Sequence, residues 1–180
     1  MQKIMEQLHQ DHVNLARLLN LLKQQLAILE SGEEADLFLI IDIADYIRRY
    51  SDQVHHPRED QVYRVFSQCN PEATAMVAQL LEEHEILPGI TQTFHDMLSS
   101  VINAETIVSR QELQDKISHF IDIQTAHMDR EENTVFPLIH KTLQASDWQQ
   151  LSDLTQDMED PLFGRRVLDR YQNLYEQLAA

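Results

Sequence analysis

The sequence predicts an all-α protein: an up-down-up-down four-helix bundle made of two similar helical hairpins, followed by two shorter C-terminal helices. Three observations carry this. Apolar residues recur at spacings of three and four along nearly the whole chain, and no alternating strand pattern lasts. Among 180 residues there are only three Gly and five Pro, while Leu, Gln, Glu, Asp, Ala and Ile dominate, a composition of helix formers. The chain also repeats itself. A shift of 72 residues lays Leu8 on Leu80, Asp11 on Glu83, His12 on His84, Leu15 on Leu87, Leu26 on Leu98, His55 on His127, Arg58 on Arg130 and Glu59 on Glu131.

The first helix carries Leu8, Leu15, Leu19, Leu22, Leu26 and Leu29 and stops around Gly32 in "ESGEE". The second places Leu37, Ile41, Ala44, Val62 and Phe66 on one narrow face and ends near "SQCNP", where Asn70 can cap and Pro71 can open the next helix. The third holds Val77, Leu80, Leu87, Phe94, Leu98 and Val101. Ser109 and Glu112 form a capping box for the fourth, which runs on through Leu113, Ile117, Phe120 and Leu138. Short turns between such long helices favour antiparallel neighbours. Residues 1–145 are thus expected to form the bundle. Residues 146–180, broken at "DPLFG", form an extension packed on its outside or end through Trp148, Leu151, Leu154, Leu168, Tyr171, Leu174 and Tyr175.

Charge and composition narrow the partners. A formal net charge of −16 repels nucleic acid and anionic membranes. The longest apolar run, "LFLII", is far short of the ~20 residues a membrane span needs. The N-terminus "MQKIMEQLHQDH" lacks a basic and apolar leader, and a cytoplasmic protein is the simplest reading. Cys69 is the single cysteine, which excludes an internal disulfide and a cysteine metal cage.

Four histidines are expected in one layer. With turns near residues 32, 69 and 106, His12, His55, His84 and His127 lie at matching distances on either side of each turn, to within about two residues or ~3 Å of helix rise. His55 and His127 share their stripes with core residues, and His12 and His84 stand at the edges of theirs. Glu59 and Glu131, each four residues after a histidine in "HHPRED" and "HMDREE", lie only ~40° round the helix on the same face. Burying two carboxylates without partners is very costly, and a metal resolves it. Each half supplies two His and one carboxylate, a set suited to non-haem iron with open positions. Two such halves around a pseudo-twofold axis point to a dinuclear centre bridged by carboxylates. His9, three residues before His12, can add a ligand, and Glu132 competes with Glu131 as bridge. Asp60 and Glu132 sit ~140° from their histidines, toward solvent or a neighbouring helix, and Asp60→Ala is expected to do little. Tyr63 either hydrogen-bonds near the site or packs in the core. His56 is expected to face solvent, or else to stand behind a ligand. His95, His119 and His140 are surface or packing residues.

At these residues, "LHQDH", "HHPRED", "LLEEH" and "HMDREENTVFPL", the sequence resembles the bacterial hemerythrin-like, or HHE cation-binding, family over roughly residues 4–143. The resemblance implies two Fe ions in an oxo- or hydroxo-bridged di-iron centre. It implies His12, His55, His84 and His127 as terminal ligands, with Glu59 and Glu131 as bridges. Oxygen-carrying hemerythrins add a fifth histidine four residues after the one on their third helix. Here that position is Pro88, which cannot ligate and is expected to kink the helix and leave one more coordination position open. The pattern is shared with di-iron proteins implicated in repairing iron centres after nitric oxide or oxidative damage. The resemblance implies a non-haem di-iron carboxylate protein that binds or reacts with a small diatomic, O2 or NO. The alternative is an iron-handling or iron-sensing module whose stability depends on metal occupancy. In that case a protein partner or a second copy is expected on the C-terminal helices. No nucleophile triad, phosphate loop or nucleotide fingerprint appears, and no catalytic residue is assigned.

Overall fold

A computed structural model describes residues 2–154 and 159–179. Four antiparallel rods form the bundle. The first is α1 (Lys3–Glu30). It ends where Gly32 turns the chain at a φ of +93°, a value that glycine adopts without the penalty a Cβ would bring. Asp36 then caps the second rod by accepting from the Leu39 amide at 3.0 Å. This rod is composite, with α2 (Leu37–Tyr46), a π-helical stretch at Ile47–His55, and α3 (His56–Cys69). The third is α4 (Thr74–Ile102), entered through a 3-10 turn at Pro71–Ala73. The fourth is capped by Ser109, which accepts from the Glu112 amide. It comprises α5 (Arg110–Arg130), a π turn at Glu131–Val135, and α6 (Phe136–Thr142). In space α1 packs on α2 and α5, while α4 packs on the second rod and on α5, closing a ring of four.

Both π stretches end two residues before a proline, Pro57 and Pro137. A proline inside a helix lacks the N–H for the i→i−4 bond, and its ring collides with the carbonyl of the preceding turn. A widened i→i+5 turn just ahead of it absorbs that collision. The widening has a cost in phase. Each extra residue slips the helical face by ~100°, and the second rod shows it. Its buried face in α2 is Leu39, Ile40, Ile43, Ala44 and Tyr46, whereas Leu37 and Ile41, expected in the central stripe, are only partly buried. Pro88 behaves differently, since α4 stays α-helical on both sides of it.

The interior consists of two apolar cores. One gathers Leu15, Leu18, Leu22, Ile40, Ile43, Tyr46, Leu98, Ile117 and Phe120. The other gathers Leu8, Val62, Tyr63, Phe66, Leu80, Val135, Phe136 and Ile139. His12, His55, His84, His127, Glu59 and Glu131 fall between these two sets along every rod, all of them buried. A polar layer therefore crosses the bundle between its two hydrophobic halves.

The C-terminal helices, α7 (Ala145–Leu154) and α8 (Gln172–Ala179), attach to opposite cores. Trp148 and Leu151 join the second core, and the Trp148 indole N–H donates to the Leu143 carbonyl at 3.2 Å. Leu162, Tyr171 and Leu174 join the first. Tyr46 donates to Asp160 at 2.8 Å and Tyr171 to Asp45 at 3.2 Å. The turn at Asp160 is closed by its carboxylate, which accepts from the Leu162 and Phe163 amides. A Cβ at Gly164 would stand 2.3 Å from the Asp160 carbonyl, so only glycine fits there. Leu168 and Tyr175, expected on the apolar side, are exposed instead, and the side chain of Leu154 lies outside the described residues. No helix among the described residues is long and apolar enough to cross a membrane.

Candidate metal centre

The polar layer is a compact knot of rings and carboxylates contributed by all four rods. His12 Nε2 lies 3.0 Å from His55 Nε2, and His84 Nε2 lies 3.2 Å from His127 Nε2. Between the two pairs stand Glu59 and Glu131, neither with any exposed surface. Glu59 Oε1 is 3.4 Å from His12 Nε2 and 3.3 Å from His55 Nε2, and its Oε2 is 3.6 Å from His84 Nε2. Glu131 Oε2 is 3.3 Å from His12 Nε2 and 3.4 Å from His127 Nε2, while its Oε1 is 3.3 Å from His84 Nε2. Each carboxylate thus reaches the rings of both pairs.

The outward nitrogens are all committed. His55 Nδ1 meets Asp11 at 3.0 Å and His127 Nδ1 meets Glu83 at 2.9 Å. His84 Nδ1 meets Asp60 and His12 Nδ1 meets Glu132, at 2.7 and 2.8 Å. These acids obey the 72-residue shift: Asp11 maps on Glu83 and Asp60 on Glu132. Arg58 stands 3.7 Å from Asp11, and its repeat partner Arg130 is paired with Glu83. A carboxylate on Nδ1 keeps the proton there and leaves the Nε2 lone pair free. Two lone pairs aimed at each other from 3.0 Å repel, unless a cation or a proton sits between them. Both oxygens of Glu59 and Oε2 of Glu131 are buried without a hydrogen bond, which in a native interior signals an ion or a proton still to be supplied.

Protons can fill the role when metal does not. Burial disfavours a charged His55 ring, but the nearby charge of Glu59 and the hydrogen bond to Asp11 outweigh it and raise the pKa to about 9. His84 is raised to about 10 against burial, through Asp60 and Glu131, and His12 rises as well through Glu131, Glu132 and Glu59. Burial and the charge of Glu59 push Glu131 up, yet His127, His12 and His84 hold it down at about 2. Glu59 is likewise held low against burial by His55 and His12.

Among the described residues two overlapping groups of side chains are placed to hold a metal ion: His12, His55 and Glu59 on one side, and His56, Glu59, His84 and His127 on the other. Glu59 belongs to both. The profile of the Hemerythrin HHE cation binding domain matches residues 3–139. The chain belongs to the hemerythrin HHE cation-binding family. Neither a curated protein nor a solved structure matches it.

In this hemerythrin-like bundle all six residues singled out from the sequence come together, and the alternatives left open for their neighbours are decided. His56 does not face solvent. It is 3% exposed and stacks on His84 at 4.4 Å between ring centroids. Burial first, then the charges of His84, His55 and His127, push its pKa far down, so it is neutral. Asp60 and Glu132 point not to solvent but across to α4 and α1, each holding a histidine. His9, with its side chain 53% exposed, donates from Nδ1 to Glu132 at 3.0 Å and stands outside the cluster. Tyr63 donates to Glu131 Oε1 at 2.7 Å. The acids could have been read from the sequence, because they repeat with the histidines. His56 could not, because its repeat partner is Met128. Asp60→Ala is accordingly expected to weaken metal binding by roughly 10- to 100-fold, as losses of such outer partners do. A competition titration against a chelator reads it directly, and unchanged affinity would leave Asp60 a bystander.

Proposed function

We propose that this chain is a non-haem di-iron protein of the hemerythrin-like kind that binds or reacts with a small diatomic, O2 or NO. His12, His55, His84 and His127 would serve as terminal ligands, with Glu59 and Glu131 as bridging carboxylates. One observation carries the reading: four Nε2 lone pairs converge on two buried carboxylates, each of which reaches both histidine pairs. The charge balance favours cations at the site. Asp11, Asp52, Glu59, Asp60, Glu83, Glu131 and Glu132 face the histidines and outnumber Arg58, Arg130 and the exposed Arg64 that pair with them. Nitrogen and carboxylate donors without thiolate suit iron.

Iron held by these residues would supply the electrons for chemistry on a small ligand. The remaining work falls to the chain. The four outer carboxylates fix the ring tautomers and aim Nε2 inward. Tyr63 engages Oε1 of Glu131 and so orients that carboxylate. The two apolar cores shield the layer from bulk water above and below, which suits a small ligand rather than an elaborate substrate.

An oxygen cycle tests this. Protein loaded anaerobically with Fe(II) should develop a charge-transfer spectrum when oxygen is admitted. A spectrum that reverses on removal of oxygen means carriage or sensing, and irreversible oxidation means redox or repair chemistry. No iron-dependent spectrum at all would sink the di-iron reading. A second reading, an iron-handling or iron-sensing module, draws support from the position of the ligands on all four rods: occupancy then sets the stability of the whole bundle. Its C-terminal segment, with Tyr175 of α8 and the preceding Leu168 exposed, would present the partner surface. Chelation that unfolds the chain or releases a partner distinguishes it.

A further inference from the structure

We propose that His56 is a fifth histidine ligand, so that the two metal ions are held unequally, one by His12 and His55 and the other by His56, His84 and His127. The inference rests on the reading of the layer as a two-ion centre and goes beyond it, because the sequence pattern assigns only four histidines.

Three independent features of the geometry point to it. First, a ring nitrogen of His56 lies within 4.8 Å of donor atoms of Glu59, His84 and His127, all buried. The ring stacks on His84 with an interplanar angle of 9° and meets His127 edge-on at 5.3 Å between centroids. Second, His56 is unsatisfied as a core residue. Its Nδ1 is buried without a hydrogen bond, and so are both carboxylate oxygens of Asp52 facing it at 3.6 Å. An ordinary buried histidine has its polar atoms paired. Here Nδ1 faces a carboxylate, as in the other four rings. The Asp52 contact is longer than their 2.7–3.0 Å, so the fifth pair is aligned but not closed. With Nδ1 toward Asp52, Nε2 is left for the metal, the arrangement that metal-binding imidazoles adopt.

Third, this is where the duplicated halves part company. Exchange of the two repeat halves matches Asp11–His55 with Glu83–His127 and Asp60–His84 with Glu132–His12, but it matches Asp52 and His56 with Gln124 and Met128. Both are buried, and the Gln124 amide has no hydrogen-bond partner. One half has gained an imidazole with its carboxylate, and the other has an amide and a thioether. The position lost to Pro88 on α4 is thereby regained from α3, and the ion beside His12 and His55 keeps the more open coordination. The π stretch explains how two adjacent residues both reach inward: His55 is its last residue and His56 the first of the α-helix that follows.

The test is anaerobic titration of the full chain with Fe(II) against a competing chelator, with Mössbauer spectra of 57Fe-loaded protein. Wild type is expected to take two irons and give two unequal quadrupole doublets. His56→Ala and His56→Gln should keep one iron at wild-type affinity, bind the other at least tenfold more weakly, and alter one doublet only. Millimolar imidazole should restore the second iron to His56→Ala. Melting of the metal-free variants checks that the bundle still folds, and His56→Gln serves if the alanine variant does not. Two irons bound at wild-type affinity with unchanged doublets in both variants would overturn the proposal and leave His56 a packing residue. Wild type that binds no iron pair would instead overturn the di-iron reading beneath it.

Discussion

Glu59→Ala is expected to abolish loading of the iron pair and to remove most of the thermal stability that metal confers. Glu59 is the one residue common to both groups of candidate ligands, and its two oxygens face opposite histidine pairs. Removing it takes a donor from each ion and the negative charge that holds them together. An ion that binds only the folded chain contributes about 4 kcal/mol when free metal is a thousandfold above the dissociation constant. For a chain of this size each kcal/mol is worth ~2–4 °C, so loss of both ions should lower the melting temperature by about 16–32 °C under saturating metal. The metal-free variant should change far less, since alanine relieves a buried charge while it strips His12 and His55 of a partner. Glu131→Ala should behave alike, with the added loss of the acceptor for Tyr63. Iron content by metal analysis, alongside melts with and without chelator, reads both quantities. Two irons retained by Glu59→Ala would refute its role as a bridge.

The second large effect is opposite pH dependence of the metal-free and metal-loaded forms. In the metal-free chain His55 and His84 titrate at about 9 and about 10, both above the ordinary 6.5. A group that binds its proton more tightly when folded stabilises the fold fully below its unfolded pKa. That contribution is therefore complete below 6.5 and is lost as pH rises through 9 and 10. At the acid end Glu131, held at about 2 against an ordinary 4.5, contributes stability that is present above 4.5 and lost as pH falls toward 2. Metal-free protein should thus melt highest between the carboxylate and imidazole ranges and lose stability through pH 7–10. Metal must displace those protons, so its apparent affinity should rise across the same interval and loading should acidify an unbuffered solution. Melts from pH 5 to 10 with chelator and with metal should cross or diverge. Parallel curves, or loading without proton release, would mean that the histidines do not change protonation on binding.

Much of this was legible in the residues because three separate signals agreed. Helical periodicity, the 72-residue repeat and the spacing of histidines about the turns all pointed to one layer, and the structure gathers His12, His55, Glu59, His84, His127 and Glu131 there. Where the reading strayed, it assumed an uninterrupted helix. A strict 100° step from Leu37 to Phe66 puts Leu37 and Ile41 in the central stripe and His56 outside it, whereas the π stretch ahead of Pro57 slips the phase within the rod. The proline was visible and its effect on register was not, since a proline can kink, break or widen a helix according to what surrounds it. The weight of Asp60 was underrated for a different reason, although a neighbouring helix was one of the two directions expected for it. At ~140° it points away from its own helix's stripe, but in a four-rod bundle that direction faces the next rod, where His84 waits. Only packing shows which neighbour receives a flanking side chain.

The polar layer between two apolar cores also bears on how the molecule comes apart. Each core, with its own C-terminal helix attached, is a candidate cooperative unit in its own right. What joins them is a seam of charges along which little hydrophobic area is buried. With protons alone at the seam, one half can open while the other persists, and amide exchange should fall into two classes. Metal ions that take ligands from all four rods rivet the seam, so occupancy decides whether the bundle unfolds as two halves or as one.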